Sequence, residues 1–345
     1  MPHIRQHSYI PRVNAVRVLL MAAVVLSVYR VPVRFSRYFA LLCEFAPCAL
    51  FALYGYFALR IHRTRSTKSV LKHSLSSTVR VFLKLLFAYV VLGFLYQWLT
   101  VGNPVSWLSL PNLLTWLVFC KWPINLGDSI WMLQCVLYAL VVFTLLHRFS
   151  HNKVVDFAAC GGLMVLGIVF GEMAGIFKMP FYLERNFLTT TIPYMLFGKL
   201  LHYAPDKLRN CKSKVLVLLF GGGVVLCAAE ALFLRSKGMI DTCQHLIGFL
   251  PMTAATLLFA VRGPQKEAIH AADIRLMETY RFMYFLFNPV AEFYFLLSLL
   301  LMGFPKAFNL AAGATAIVAL VLSFLLARAV GRFRSKRVVI PDEHQ

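Results

Sequence analysis

The chain is poor in charge, and poorest in acid. Of its 345 residues only 14% are charged, with 14 Asp and Glu against 35 Lys and Arg. A water-soluble domain covers itself with many more ionised side chains, so this composition excludes an ordinary soluble fold. The eight cysteines include no CxxC pair, and Cys43, Cys48, Cys135, Cys160 and Cys227 stand in or beside apolar runs. There a thiol behaves as a small hydrophobe, which argues against a disulfide framework. The ten histidines show neither HxxxH nor HExxH spacing and fall in tails, loops or the ends of apolar runs. No zinc or haem site is therefore expected, and no metal. No Ser/Pro-rich linker or low-complexity tract divides the chain, so residues 1–345 read as a single integral-membrane domain.

Apolar residues fill the space that charge leaves. They make up 60% of the chain, and they come in runs close to the length that crosses a hydrocarbon core of about 30 Å. Such runs must satisfy their backbone internally, which in lipid means helix. The pattern predicts an all-α polytopic membrane protein with about ten transmembrane helices, at residues 13–30, 39–59, 81–99, 129–147, 154–171, 187–203, 215–234, 245–261, 281–303 and 308–327. The stretch "WLSLPNLLTWLVFCKW" (107–122) is apolar but short and interrupted by Pro111, and reads as an interfacial or re-entrant piece. The N-terminal "MPHIRQHSYIPR" lacks the order of a cleaved signal, so the first span is expected to remain in the protein.

Basic residues collect in alternate loops: "RIHRTRSTK" after the second span, "KLRNCKSK" after the sixth and "RFRSKR" at the end. By the positive-inside rule this places both termini in the cytoplasm, in a multi-pass protein of the cell membrane. The formal net charge of +21 raises the question of nucleic acid. Its juxtamembrane placement points instead to the bilayer as partner, through anionic lipids of the inner leaflet, and to no nucleic acid.

Polar groups at membrane depth are costly and so are functional candidates. They are Arg17, Glu44, Gln134, Glu172, Glu230, and Asn288 with Glu292. For Glu44 and Glu172, at span ends, interfacial snorkelling is an equal account. The stretch "YRFMYFLFNPVAEFYFLLSLLL" (280–301) is the most unusual, setting an amide, a proline and a carboxylate into hydrocarbon. A proline there is expected to kink the helix and turn Asn288 toward an internal cavity.

The order of these features resembles the integral-membrane acyltransferase 3 family. "NAVRVLLMAAVVLSVYR" (14–30) is similar to that family's first span, in which an Arg opens a run ending in His. "CALFALYGYFALR" (48–60) is similar to its Phe-rich second span closing on Ser-Gly-Tyr, and "VRVFLKLLFAYVVLGFLYQW" (79–98) to the basic entry of its third. "SIWMLQCVLYALVVF" (129–143) and "IPYMLFGKLL" (192–201) resemble its Trp-Phe-Leu and Pro-then-Phe-Gly spans, and "YRFMYFLFNPV" (280–290) its late Tyr-Leu-x-His-Pro pattern. Four positions depart from the family: Val28 stands in place of the first-span His, Tyr54 in place of the Ser before Gly55, Leu83 in place of the second basic residue, and Asn288 in place of the late His.

The resemblance implies a membrane-bound O-acyltransferase that moves an acetyl or succinyl group from cytoplasmic acyl-CoA to a cell-envelope carbohydrate, either a glycan or a lipid-linked sugar. It implies a site formed by Asn288, Arg17 and Glu292, with Arg80 and Lys84 holding the CoA phosphates. Such a transfer needs a base for the acceptor hydroxyl, donors for the oxyanion and cations for phosphate. Arg17 and Asn288 suit the last two tasks, whereas Val28 cannot be a base. Glu292 and His245 are the candidates for that role. Arg80 and Lys84 lie one helical turn apart at the entry of the third span, behind Arg63, Arg65, Lys68 and Lys72, and serve equally well as membrane anchors. A non-catalytic relative acting in transport or assembly of a lipid-linked glycan is the alternative, and a small-solute transporter the third reading. Paired broken helices or an inverted repeat, which would favour the transporter, are not visible.

Overall fold

A computed structural model describes residues 10–29, 36–59, 67–123, 130–146, 152–173, 186–204, 211–238, 246–262, 271–302 and 306–337. The described residues are almost wholly helical and contain no strand. The helices are α1 (Pro11–Val28), α2 (Ser36–Cys43), α3 (Phe45–Ala58), α4 (Thr67–Val101), α5 (Leu110–Phe119), α6 (Ile130–Leu145), α7 (Lys153–Gly167), α8 (Ile192–Leu200), α9 (Ser213–Ser236), α10 (Phe249–Val261), α11 (Ala271–Met302) and α12 (Lys306–Arg337). A π turn, Ile168–Glu172, extends α7, and another, Phe187–Thr191, leads into α8.

Among the described residues the ten apolar stretches are largely helical, and five helical segments are long and apolar enough to cross a membrane: Tyr38–Ala58, Ser69–Val101, Lys153–Phe170, Ser213–Ser236 and Ala314–Arg332. Their outward faces carry Phe87 and Trp98 on α4, Phe157 on α7, Leu218 on α9 and Leu325 on α12, all exposed. Water would penalise such surfaces and lipid does not. The stretch 107–122 is helical only from Leu110 to Phe119, and Pro111 marks where that helix starts. It stands in the first turn of α5, where its missing N–H would have had no helical partner. Cys120, at φ 57°, ends that helix in the left-handed region. Ten residues give α5 a length of about 15 Å, half the hydrocarbon core.

The chain forms two compact units by its internal contacts, Met1–Ala40 with Phe259–Gln345, and Leu41–Leu258. In the first unit α1 packs on α11, and α11 pairs with α12 along most of its length. The seam on α12 is a row of small buried residues, Ala316, Ala319, Ser323 and Ala327, at helical spacing, which lets two helices approach closely without a hydrophobic driving force. Helix α11 continues across Pro289 without interruption, although proline supplies no N–H to the ladder.

In the second unit α3 lies on α8, α4 on α6, and α7 on α8. The contact between α3 and α8 is backbone against backbone. A Cβ on Gly55 would collide with the Met195 main chain, and one on Gly198 with the carbonyl of Ala52. Beside it the His202 ring stacks on Tyr56 with centroids 4.1 Å apart, and its Nε2 lies 2.6 Å from the Tyr56 carbonyl. Gly223 of α9 and Gly248, just before α10, face each other in the same manner, each Cβ site meeting the other's carbonyl oxygen at 2.8 Å and 2.6 Å.

Candidate functional site

Two long-range hydrogen bonds set the geometry of the first unit. Asn14 Nδ2 donates to the Asp273 carbonyl (3.3 Å), and the Tyr29 hydroxyl donates to Asn288 Oδ1 (3.0 Å). Both link residues 259 apart in sequence, so α1 and α11 run parallel and in step. From 273 to 288 is fifteen residues, or about 22 Å of helix. The pair therefore has two polar ends separated by apolar packing, with Val16, Leu20, Met21, Val24 and Val25 of α1 buried between them.

At the first end, Arg17 donates from Nη1 to Asn14 Oδ1 (3.3 Å), completing a link from Arg17 through Asn14 to the start of α11. Both helices begin here, so their N-terminal dipoles add to the positive charge of Arg17 and of Arg12, which bonds the Arg262 carbonyl and lies 5.9 Å from the Phe259 ring centre. Asp273 stands in the first turn of α11, where a carboxylate is favoured.

At the second end, Asn288 is completely buried. The Tyr29 hydroxyl occupies its carbonyl oxygen and the Tyr29 ring meets Phe287 edge-on at 6.3 Å, so the amide is held with its nitrogen pointing away from the phenol. That nitrogen, Nδ2, is buried and has no hydrogen-bond partner among the described residues. An unmet buried donor costs about 1–3 kcal/mol, a penalty that a native fold usually avoids. Glu292 follows one turn later on the same face of α11 and is also buried. Pro289 thus accompanies a polar side chain turned inward, on a helix that remains continuous.

The same register separates Arg17 from Asn288. Arg17 is twelve residues short of Tyr29 along α1, about 18 Å of rise, so it does not share the immediate surroundings of Asn288 as the sequence reading grouped them. Arg80 and Lys84 belong to the second unit, where both side chains are exposed on α4 and Arg80 Nε donates to the Ser76 carbonyl of its own helix, at 3.4 Å. His245, Arg63 and Arg65 lie outside the described residues.

Three other polar groups have structural work. Gln134 Nε2 donates to the Trp116 carbonyl and to the Tyr138 hydroxyl (both 3.0 Å), while Tyr138 donates to the Leu117 carbonyl, so the pair ties α6 to the C-terminal end of α5. Glu230 accepts from the backbone N–H groups of Ile247 and Gly248 (both 3.2 Å), capping the entry to α10 from within α9. Glu44 occupies the turn between α2 and α3.

Two features escaped the sequence reading. Tyr29, which orients Asn288, follows directly on Val28. Asp156 and Lys199 form a buried ion pair between α7 and α8, with Lys199 Nζ 2.6 Å from Asp156 Oδ2. Both stand in apolar runs, "VVDFAACGG" and "MLFGKLL", and that isolation was the available signal. Among the described residues no three His, Cys, Asp or Glu side chains converge as a metal ion would require. No family model, no curated protein and no solved structure matches the chain.

Proposed function

We propose that the chain is a membrane-bound O-acyltransferase that takes an acetyl or succinyl group from acyl-CoA and delivers it to a hydroxyl of a cell-envelope carbohydrate, as its likeness to the acyltransferase 3 family implies. The observation that carries the proposal is the Asn288 amide: buried, fixed by Tyr29, and offering an unpartnered N–H donor. Such a group is pre-organised for a carbonyl oxygen that gains charge. In the reaction the acceptor oxygen bonds to the thioester carbon, the carbonyl oxygen becomes an oxyanion facing Asn288 Nδ2, and the carbon–sulfur bond then breaks to release CoA thiolate. The hydroxyl proton passes to a base, for which Glu292, one turn along α11, is the candidate.

The separation of Arg17 from Asn288 suits an elongated donor. CoA carries its phosphates at one end of a long arm and its thioester at the other. The phosphates then lie at the cationic end, with Arg17, Arg12 and the starts of α1 and α11, while the thioester reaches Asn288. Arg80 and Lys84 are the second candidate phosphate site. The alternative, a non-catalytic relative that handles a lipid-linked glycan, rests on Val28 and Asn288 standing where the resembled family has His.

The test uses purified full-length protein, labelled acetyl-CoA and succinyl-CoA, and a panel of envelope glycans. Wild type should transfer label, and Asn288→Ala should lower turnover by about 10²- to 10³-fold, the loss typical of one oxyanion donor. Absence of transfer by wild type supports the non-catalytic relative. Robust transfer that survives Asn288→Ala removes Asn288 from the site.

A further inference from the structure

The second unit contains an apolar pocket of about 750 Å³ between α7, α8, α9 and α10. This is within the range of about 300–1,000 Å³ common for small-molecule sites. Phe157, Gly161, Met164, Phe197, Leu219 and Leu257 are among its walls, and Lys153 and Tyr203 bring an ammonium and a phenol to the lining. Lys153 opens α7 and Met164 is eleven residues further on, so the pocket follows that helix for about 16 Å. That depth is close to half of a 30 Å hydrocarbon core, the thickness of one leaflet.

Among the described residues no carboxylate pairs with Lys153. Asp156 is three residues from Lys153 and would ordinarily be its partner on the helix surface. Lys199 holds that carboxylate instead, and the Tyr203 hydroxyl also reaches it, at 3.5 Å. The Lys153 ammonium lies 5.0 Å from the centre of the Tyr203 ring, and no ion pair of Lys153 occurs among the described residues. An alkyl slot one leaflet deep with an ammonium at its rim matches an anionic lipid in both shape and charge.

We infer that this pocket is a binding site for an anionic glycerophospholipid of the leaflet on the Lys153 side, with one acyl chain lying between α7, α8 and α10 and the headgroup phosphate at Lys153. The site is built within the second unit and does not depend on the acyl-transfer reading. A membrane surface charge alone would attract such lipids to any of the basic loops, but it would not seat a chain inside the protein.

The test measures lipids retained by native mass spectrometry after purification from bilayers of equimolar phosphatidylglycerol and phosphatidylcholine. Wild type should keep phosphatidylglycerol in preference. Lys153→Glu should reduce that preference about fivefold or more, the effect of one lysine at an anionic surface, whereas Lys212→Glu, which changes net charge equally outside the pocket, should leave it nearly intact. Gly161→Phe should expel the chain. A Cβ at Gly161 meets nothing within 4 Å, and Gly162 is equally open but outside the pocket, so Gly162→Phe is the matched control. Equal phosphatidylglycerol retention by wild type, Lys153→Glu and Gly161→Phe overturns the site. Should Gly161→Phe fail to fold, the comparison of Lys153→Glu with Lys212→Glu decides alone.

Discussion

Removing the Lys199 ammonium tests whether the second unit is held by a charge pair that water does not reach. Lys199 and Asp156 are 3% and 5% exposed, and the 2.6 Å contact has the geometry of a charge-assisted hydrogen bond. Each charge also sits at the helix end that favours it, Asp156 in the first turn of α7 and Lys199 in the last turn of α8. Lys199→Met keeps the length of the side chain and much of its packing but leaves a buried carboxylate with the 3.5 Å contact to the Tyr203 hydroxyl. Breaking one side of such a pair costs about 3–5 kcal/mol, whereas replacing both partners by apolar residues of similar volume is often neutral or stabilising. The expected pattern is a loss of that size in Lys199→Met, a comparable loss in Asp156→Leu, and recovery of most of it in the double variant. Reversible unfolding in mixed micelles of a mild detergent and dodecyl sulfate measures all four proteins as a double-mutant cycle. Single losses below about 1 kcal/mol, the range of exposed pairs, would refute the reasoning, as would losses that simply add in the double variant.

The glycine contacts give a second stability test in the same assay: Gly198→Ala, whose Cβ would enter the Ala52 carbonyl, should cost about 1–3 kcal/mol or more, while Gly161→Ala should stay within about 0.5 kcal/mol because its Cβ meets open space. Replacing Glu230 by Gln should weaken two hydrogen bonds to a charged acceptor, each worth about 1.5–3 kcal/mol. Hydrogen exchange at the Ile247 and Gly248 amides should accelerate, and unchanged protection there would show that the carboxylate is not their cap.

Helix positions were legible because long apolar runs carry their pattern in length and polarity. Apolar stretches such as 215–234 and 129–147 coincide with α9 and α6 to within a few residues. Where boundaries moved, polar sequence had joined a helix. The start of α4, "TKSVLKHSLSSTVR", contains no glycine or proline, so nothing ends the helix where the apolar run gives way to polar sequence, and it begins at Thr67 rather than near Val81. Interhelical contacts were less legible. The backbone contacts of Gly55 and Gly198 depend on how two helices cross, and nothing within either segment distinguishes these glycines from Gly161 and Gly162, whose faces are open.

The candidate site was legible at Asn288 and Glu292 because polarity inside an apolar run marks a residue regardless of what it touches. Its partner was displaced by one position. The family pattern directs attention to Val28, the last residue of α1, which carries no polar group. Tyr29 follows it with φ −104° and ψ 110°, outside the helix, while its backbone N–H still bonds the Val25 carbonyl. Within a regular helix one step along the chain turns a side chain by about 100°. Leaving the helix at Tyr29 removes that constraint and aims a phenol, rather than an imidazole from position 28, at position 288. The separation of Arg17 from Asn288 follows from register in the same manner: the shared offset of 259 residues fixes two helices in parallel, and no property of either helix alone specifies that offset. The helix pair thus carries a buried amide held by a phenol at one end and a guanidinium at the other, and Tyr29, which the family pattern passes over, is the residue that holds the amide of Asn288 in place.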